Sequence, residues 1–532
     1  MNENRRRRAC RSHTPRGEKA RSAPRGVEAA GQATRKRTTM PATWWTAATL
    51  VGAVLAAAAL VAGCASTSGS VPSSRRMLEP AQLGIRSGDV TWSTTAWWTQ
   101  WGDPQLDALI DKALANQPSL QTAQARLVQA QAAVDAANAA RLPQVSGSVD
   151  MMDQRFTRNG LFPPPLGGGI FWNNDARVTA SWEPDLFGRD RAAIASAIGQ
   201  LRVAQADAQE ARVLLAGNIA SAYAGLARLI DQRDVATQAL SQREQTSSLV
   251  RQRIDAGLDT SVEARQAEGF VAQTHVELES LDEGIARTRH ALAELAGQGP
   301  DALDDLAPHI AQVKAMALPA GLPADLVGRR ADLVAQRWRV EAAMKDVDVA
   351  RTQFYPNINL TAFVGLSSLT LDNFLKAGSE EYGAGPALRL PIFEGGRLRA
   401  NLSAKNAAVD AAIDGYNAAL LRALREVADE VSTLGSIERQ QQSQDQASRA
   451  AESAYQLATE RYRAGLGNYL VVLTAETNVL AQRHAATDLK SRHLVAEAAL
   501  ARALGGGFEP DAGSRPPAVA TLTQSSSPAA QR

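Results

Sequence analysis

Two periodicities alternate along this chain, and the whole alternation is written twice. Val145, Gly147, Val149 and Met151 alternate with Ser146, Ser148 and Asp150, the period of two expected of a strand with one wet face. Leu360, Ala362 and Val364 alternate less cleanly with Asn359, Thr361 and Phe363. After each strand region comes an Ala-rich stretch without proline, far longer than an ordinary globular helix. Gly188-Arg189 recurs as Gly396-Arg397, and Ala256-Gly257-Leu258 recurs as Ala464-Gly465-Leu466. Arg189 to Gly257 and Arg397 to Gly465 are both separated by 68 residues. Leu142-Pro143-Gln144-Val145 is likewise echoed by Tyr355-Pro356-Asn357-Ile358. At 1.5 Å per residue, each rod is about 100 Å long, suited to a coiled-coil spacer or the wall of a tube.

The predicted order begins with a helix from about Asp103 to Arg141, Asp103 serving as N-cap and Pro104 opening the first turn. Strands follow at Val145–Phe156 and Ala176–Phe187, around a loop holding Pro163-Pro164-Pro165 and Gly167-Gly168-Gly169. A long helix over 189–255, the Ala-Gly-Leu turn and a return helix over 260–297 complete the first half. The second half predicts a helix over 324–353, strands near Ile358–Leu369 and Tyr382–Phe393, a long helix over 397–463 and a return helix over 469–504. This divides the chain into a leader (1–63), a Ser/Thr/Gly/Pro-rich linker (64–96) and repeats at 97–298 and 324–506. A Pro/Gly-rich connector (299–323) joins the repeats, and a tail (507–532) is expected to be disordered.

Aromatic residues gather near the strand ends: Phe156, Phe171, Trp172, Trp182, Phe187, Phe354, Tyr355, Tyr382 and Phe393. Alternation flanked by aromatics fits an outer-membrane barrel, although a small soluble sheet with core aromatics would share part of the pattern. Four strands cannot close a barrel, and open edges are not tolerated in lipid. Strands that span lipid here would have to be shared between chains, and three copies would supply about twelve.

Composition changes the picture at the N-terminus. Of 57 Lys/Arg and 55 Asp/Glu, the first 63 residues hold 12 and 3, so residues 64–532 carry a net charge of −7. The basic character belongs to the leader, and a nucleic-acid partner is not indicated. Arg35-Lys36-Arg37 precedes an uncharged run from Trp44 to Leu60 and then Val61-Ala62-Gly63-Cys64, the layout of a secretory signal. The stretch resembles a bacterial lipobox, which implies that Cys64 is lipidated and becomes the first mature residue. Ala65 after it implies the outer membrane in that resemblance. The other cysteine, Cys10, lies in the leader, so the mature chain has no disulfide and no second thiol.

Several motifs in order carry a wider resemblance. Trp97-Trp98 with Trp101-Gly102-Asp103-Pro104-Gln105-Leu106 opens the set, and Trp182-Glu183-Pro184-Asp185-Leu186-Phe187-Gly188-Arg189 follows. Leu318-Pro319-Ala320-Gly321-Leu322-Pro323-Ala324-Asp325-Leu326 and Leu390-Pro391-Ile392-Phe393-Glu394-Gly395-Gly396-Arg397-Leu398 complete it. From Trp97 to Gly506 the chain resembles the outer-membrane lipoproteins of tripartite efflux systems, the TolC-like outer membrane factor family in its NodT-type branch. The resemblance implies an α+β membrane protein: an internally duplicated protomer of a homotrimeric channel. Each chain would give four strands to a shared 12-stranded outer-membrane β-barrel that stands on a long periplasmic α-helical coiled-coil barrel. It implies passive conduction of drugs or other toxic compounds, with partners in a periplasmic adaptor protein and an inner-membrane pump of the resistance-nodulation-division class. No cofactor is expected.

The same resemblance assigns Ala256, Gly257, Leu258, Ala464, Gly465 and Leu466, at the two hairpin tips, to contact with the adaptor. Family members often place acidic rings six and nine residues after the second turn glycine; this chain has Val471 and Thr474 there. The acidic residue falls in the first copy, at Glu263, and Tyr462 matches a tyrosine that holds the helices closed. The expected gate set is therefore Glu263, Tyr462, Val471 and Thr474, with an apolar constriction at Val471 and with Glu263 either hydrogen-bonded to Tyr462 or, equally, a plain solvated helix residue.

Enzyme chemistry finds no foothold. His275, His290, His309, His484 and His493 show no metal-ligand spacing, and neither Gly-x-Ser-x-Gly nor His-Glu-x-x-His occurs. Met151-Met152 is read as apolar filling rather than a copper site. Two alternatives stay open on sequence: a structural coiled-coil lipoprotein spanning the periplasm, and a duct for type I protein secretion.

Overall fold

The computed structural model describes residues 75–79, 83, 96–316 and 329–508. All of them lie within one compact unit, Cys64–Arg532. After a 3-10 turn at Trp97–Trp101 come α1 (Pro104–Asn116), α2 (Pro118–Ala139), β1 (Gln144–Arg155), β2 (Ile170–Trp182), α3 (Arg189–Asp255) and α4 (Ser261–Leu295). The second copy gives α5 (Ala331–Thr352), β3 (Asn357–Ser368), β4 (Glu380–Arg389), α6 (Arg397–Arg463) and α7 (Tyr469–Ala503).

The two rods are each 67 residues long and run where the repeat spacing predicted. Each is bracketed by glycines whose backbone is left-handed, a region open to glycine at little cost: Gly188 and Gly257 around α3, Gly396 and Gly465 around α6. The first predicted helix is instead two. Gln117 is extended and precedes Pro118, whose ring disfavours a helical backbone in the preceding residue, so α1 ends and α2 starts afresh. β2 begins and ends earlier than its pattern indicated, at Ile170 and Trp182, and β4 stops at Arg389. Pro184 and Pro391 follow these ends, and proline cannot donate to a ladder.

The chain builds a slab of four staves. α3 and α6 are continuous, and each is flanked by a stave made of two helices laid end to end. The end of α4 abuts the start of α2, where Gln117 Nε2 donates to the Glu294 carbonyl at 3.2 Å. The end of α7 abuts the start of α5, where Arg330 Nη1 donates to the Ala503 carbonyl at 3.1 Å and to Glu426 of α6 at 2.9 Å. α3 packs on α2 and α5 along its first half and on α4 and α7 along its second, while α6 packs on α5 and then α7. An 18-residue stretch of α3 is apolar enough for a lipid span, yet 56% of it is buried by these neighbours.

The strands repeat the order of the staves. They form one antiparallel sheet, β1-β2-β3-β4, fed respectively from α2, into α3, from α5 and into α6. Among the described residues, no strand pairs with the outer edge of β1 or of β4.

The largest core lies around the middle of the slab. Trp97, Trp98, Trp101, Leu106 and Ile110 pack against Leu215–Ile230 of α3 and against Leu494, Ala498 and Ala501 of α7. Asp103 caps α1 through Gln105 N at 3.0 Å, as predicted, and also accepts from the buried Tyr223 hydroxyl at 2.6 Å. The connector closes over this belt: Lys314 N donates to the Trp101 carbonyl at 2.9 Å. Phe354, expected at a strand end, is buried against α6. Phe508 packs beside Val203 and Val334, and residues 509–532 lie outside the described region, as does Cys64.

Candidate functional site: a two-faced sheet and a joined pair of tips

The register sorts the sheet into two chemically distinct faces, because directly paired residues point to the same side. Val145, Gly147 and Val149 lie opposite Ala180, Val178 and Ala176 of β2. These lie opposite Ala362, Val364 and Leu366 of β3, and the face continues through Ala384, Tyr382, Pro386 and Leu388 of β4. This face is unbroken in its apolar chemistry across the middle of the sheet, and no described residue covers it. Val145, Val149, Val178, Val364, Tyr382 and Leu388 are each 49–83% exposed.

The other face holds Ser146, Ser148 and Asp150 on β1, Thr179, Arg177 and Asp175 on β2, Thr361 and Ser367 on β3, and Glu381 on β4. Phe363, which spoiled the alternation of β3, lies on this polar face beneath the Arg177 guanidinium, 4.8 Å from ring centre to charge. Aromatics collect at both ends of the sheet. Phe187 stacks on Tyr355 at 5.0 Å where the sheet meets the helices, and Phe156 packs on Phe162 and Phe171 at the opposite end.

At the far end of the slab, both hairpins turn through matching geometry. Leu258 N donates to the Arg253 carbonyl at 2.8 Å and Leu466 N to the Arg461 carbonyl at 2.8 Å, each closing a helix over a left-handed glycine. A Cβ added at Gly257 or Gly465 would meet no atom within 4 Å. Leu258, Val262, Leu466, Leu470 and Val471 are all more than half exposed, so the paired tips present an apolar surface.

The gate residues do not meet as expected. Glu263 turns back on its own helix in a capping box, accepting from Thr260 N at 2.9 Å and from the Thr260 hydroxyl, while Thr260 Oγ1 accepts from Val262 N at 3.2 Å. Those bonds to Thr260 also hold its carboxyl below the usual glutamate range. With Oε2 drawn into the cap, Glu263 does not bond Tyr462. The Tyr462 hydroxyl donates instead to Asp259 Oδ2 at 2.5 Å, joining the second hairpin to the turn of the first. Arg253 completes the joint, donating to Asp259 Oδ2 at 2.9 Å with its guanidinium 4.5 Å from the Tyr462 ring centre. Burial works to raise the Asp259 carboxyl, but the bonds from Arg253 and Tyr462 and the adjacent positive charge outweigh it and hold it low. Val471 is exposed at the start of α7, and the Thr474 hydroxyl is turned to the Leu470 carbonyl at 2.9 Å.

A second tie lies higher up the slab. Arg243 of α3 and Glu476 of α7 are both buried, 3.4 Å apart, and Arg243 Nη1 donates to Thr274 Oγ1 of α4 at 2.7 Å. In the belt, Glu497 is fully buried and accepts from Met316 N at 2.9 Å and Trp101 Nε1 at 3.2 Å, with His493 at 3.4 Å. Burial dominates its electrostatics and pushes the carboxyl up to about 7. The connector also carries His309 against Asp231 and Asp234, a grouping hidden by the sequence spacing. His309 Nδ1 is bonded to Asp231 at 2.8 Å, and the other Asp231 oxygen accepts from Ile310 N at 3.3 Å, so these groups clip the connector to α3.

The sequence profile of outer membrane efflux proteins matches residues 109–298 and 322–506, both copies of the repeat. The chain belongs to the outer membrane efflux protein family. It is 39% identical over 373 residues to the fusaric acid resistance protein FusA of Burkholderia cepacia, covering 68% of this chain and 70% of that one. It is 30% identical over 473 residues to the multidrug resistance outer membrane protein MdtP of Escherichia coli, covering 86% and 96%. Among solved structures, the outer membrane protein VceC of Vibrio cholerae matches with a TM-score of 0.73 and 36% identity over 79% of this chain and all of that one. The outer-membrane channel OprN matches with a TM-score of 0.74 and 28% identity over 84% and 99%. As an outer membrane efflux protein, this chain is an efflux duct of the outer membrane.

Asp259 and Arg253, the residues that answer Tyr462, were missed from sequence. The signal was the comparison of the copies: two residues after the turn glycine the first has Asp259, and the second has Gly467.

Proposed function

We propose that three copies close edge to edge, β4 and α6 of one against β1, α2 and α4 of the next, into a twelve-stranded barrel continued by a helical tube through the periplasm. The observation that carries this reading is the sheet: among the described residues one face is apolar and bare, one face is polar, and both edges are unpaired. Unpaired backbone groups cost several kcal/mol each in hydrocarbon, so such a sheet is stable in lipid only when its edges meet. The apolar face then meets lipid and the polar face lines the lumen. Energy comes from a pump of the resistance-nodulation-division class in the inner membrane, reached through a periplasmic adaptor that docks on the apolar tips at Ala256, Gly257, Leu258, Ala464, Gly465 and Leu466. Lipid on Cys64 tethers the chain, each buried methylene contributing about 0.8 kcal/mol. The tube is narrowed at the tips, where the joint of Tyr462, Asp259 and Arg253 holds the hairpins together and Val471 and Thr474 stand in the position of the usual acidic rings.

The resistance roles in the names of FusA and MdtP support small toxic organic compounds as cargo. Deleting the gene should raise intracellular accumulation of such a compound, and the wild-type chain should reverse it. Unchanged accumulation across a panel of dyes and antibiotics would contradict the efflux assignment. Labelled palmitate should enter the wild type and not Cys64→Ser; equal labelling would refute the tether.

A further inference from the structure

The polar face carries a charged arrangement that closure of a barrel does not by itself require. Arg177 stands in β2, directly opposite Ser148 of β1 and Gly365 of β3. Its side chain crosses β3 and bonds Glu381 of β4, through Nε at 2.9 Å and also through Nη2. Nη2 further donates to Asp175 at 3.1 Å. The route over β3 passes Gly365, which pairs with both Arg177 and Glu381 and offers no side chain to obstruct it. A Cβ there would come within 2.5 Å of the Ala176 carbonyl, and one at Gly383 within 2.7 Å of the Phe363 ring on which the guanidinium rests. Two glycines, an aromatic platform and two carboxylates thus hold the one described cation at this level against the wall.

The consequence is electrostatic. Asp150 of β1 lies directly opposite Asp175 and forms no ion pair among the described residues. Three carboxylates therefore stand against a single guanidinium that is already neutralised and drawn aside. A long arginine left free would reach into the space before the sheet; this one does not.

We propose that the Arg177 clasp sets the charge preference of the duct, keeping the lumen electronegative at this level so that cationic cargo is favoured over anionic. The inference rests on the reading of the polar face as the lumen. Releasing the clasp both removes negative charge and swings a positive one inward, whereas removing Arg177 leaves the carboxylates uncompensated.

The test uses full-length protein in intact cells, with a cysteine placed opposite Arg177 by Ser148→Cys and membrane-impermeant thiol reagents of equal size and opposite charge. The cationic reagent should react faster than the anionic one. One unit charge about 7 Å away in water changes such a rate by about threefold. The ratio carries that factor twice, once for each reagent, so adding Asp150→Asn should lower the cation-to-anion rate ratio by about sevenfold. Glu381→Gln, on the far strand, should also lower it, and Arg177→Gln should raise it. Asp150→Asn breaks no ion pair, so its effect is readable even if a clasp variant folds poorly. A ratio that does not respond to these changes would overturn the clasp, with Ser148→Cys still reactive. An unreactive Ser148→Cys beside a reactive Val149→Cys would instead overturn the lumen assignment, and the proposal with it.

Discussion

Tyr462 and Asp259 are 203 positions apart in sequence, yet the tyrosine hydroxyl donates to the carboxylate across 2.5 Å and ties one hairpin tip to the other. Arg253 donates to the same carboxylate oxygen at 2.9 Å. A polar joint between the two hairpin tips, at the end proposed to be narrow, is a place where a small energy can decide between open and closed.

Tyr462→Phe and Asp259→Asn should loosen the tips without unfolding the slab, because each removes hydrogen bonds worth about 1–3 kcal/mol and leaves the helix packing intact. The expected outcome is a several-fold rise in channel conductance and greater sensitivity to antibiotics too large for ordinary porins. Unchanged conductance in both variants would place the constriction elsewhere. The sign with pH follows from the depressed Asp259 carboxyl: its contribution is fully present above the ordinary aspartate range and is lost only as pH falls through its lowered value. Wild-type conductance should therefore be flat through neutral pH and rise only in strong acid.

Glu497 should give the belt the opposite pH dependence. Its carboxyl is pushed up to about 7, whereas an unfolded glutamate ionises near 4.5. Between those values the folded chain holds a proton that the unfolded chain has released, so stability declines as pH rises through the window. The melting temperature in detergent should drop between pH 5 and pH 8, and Glu497→Gln should flatten that drop. Parallel pH profiles for the two proteins would show that Glu497 does not carry the effect.

Bulky substitutions at Gly257 and Gly465 should separate assembly from export. Each glycine is left-handed with open space where a side chain would go, so a substitution costs about 1 kcal/mol of backbone strain and disturbs no core. Normal heat-modifiable migration with lost drug resistance is expected; retained resistance would remove the tips from the docking surface.

The two faces of the sheet should respond oppositely to charge. Val149→Arg and Val364→Arg on the apolar face should cost about 2–4 kcal/mol if placed near the bilayer midplane and reduce the assembled fraction. Thr361→Arg on the polar face should assemble like the wild type. Equal assembly of all three would contradict the assignment of faces.

Much of this architecture was legible because local chemistry dictated it. Left-handed glycines at 188, 257, 396 and 465 bracket both rods, and the repeat spacing gave their length before any packing was considered. The period of two named the apolar faces of β1 and β3, less cleanly in β3 because Phe363 serves as a platform for Arg177 on the polar side. What stayed hidden depends on contacts between the copies. Glu263 looked like the partner of Tyr462 from its offset after the turn, but a capping box satisfies it locally, and the partner turned out to be Asp259. Glu497, Met316 and Trp101 meet in the belt from three distant segments, and no spacing announces such a meeting.

Single-channel recording of the purified full-length protein in a planar bilayer tests the shared barrel most directly. Discrete, uniform conductance steps carried by a heat-modifiable trimer are expected. A protein that inserts as folded trimers yet never conducts, or that conducts only as a monomer, would contradict the closure of four-stranded sheets into one duct.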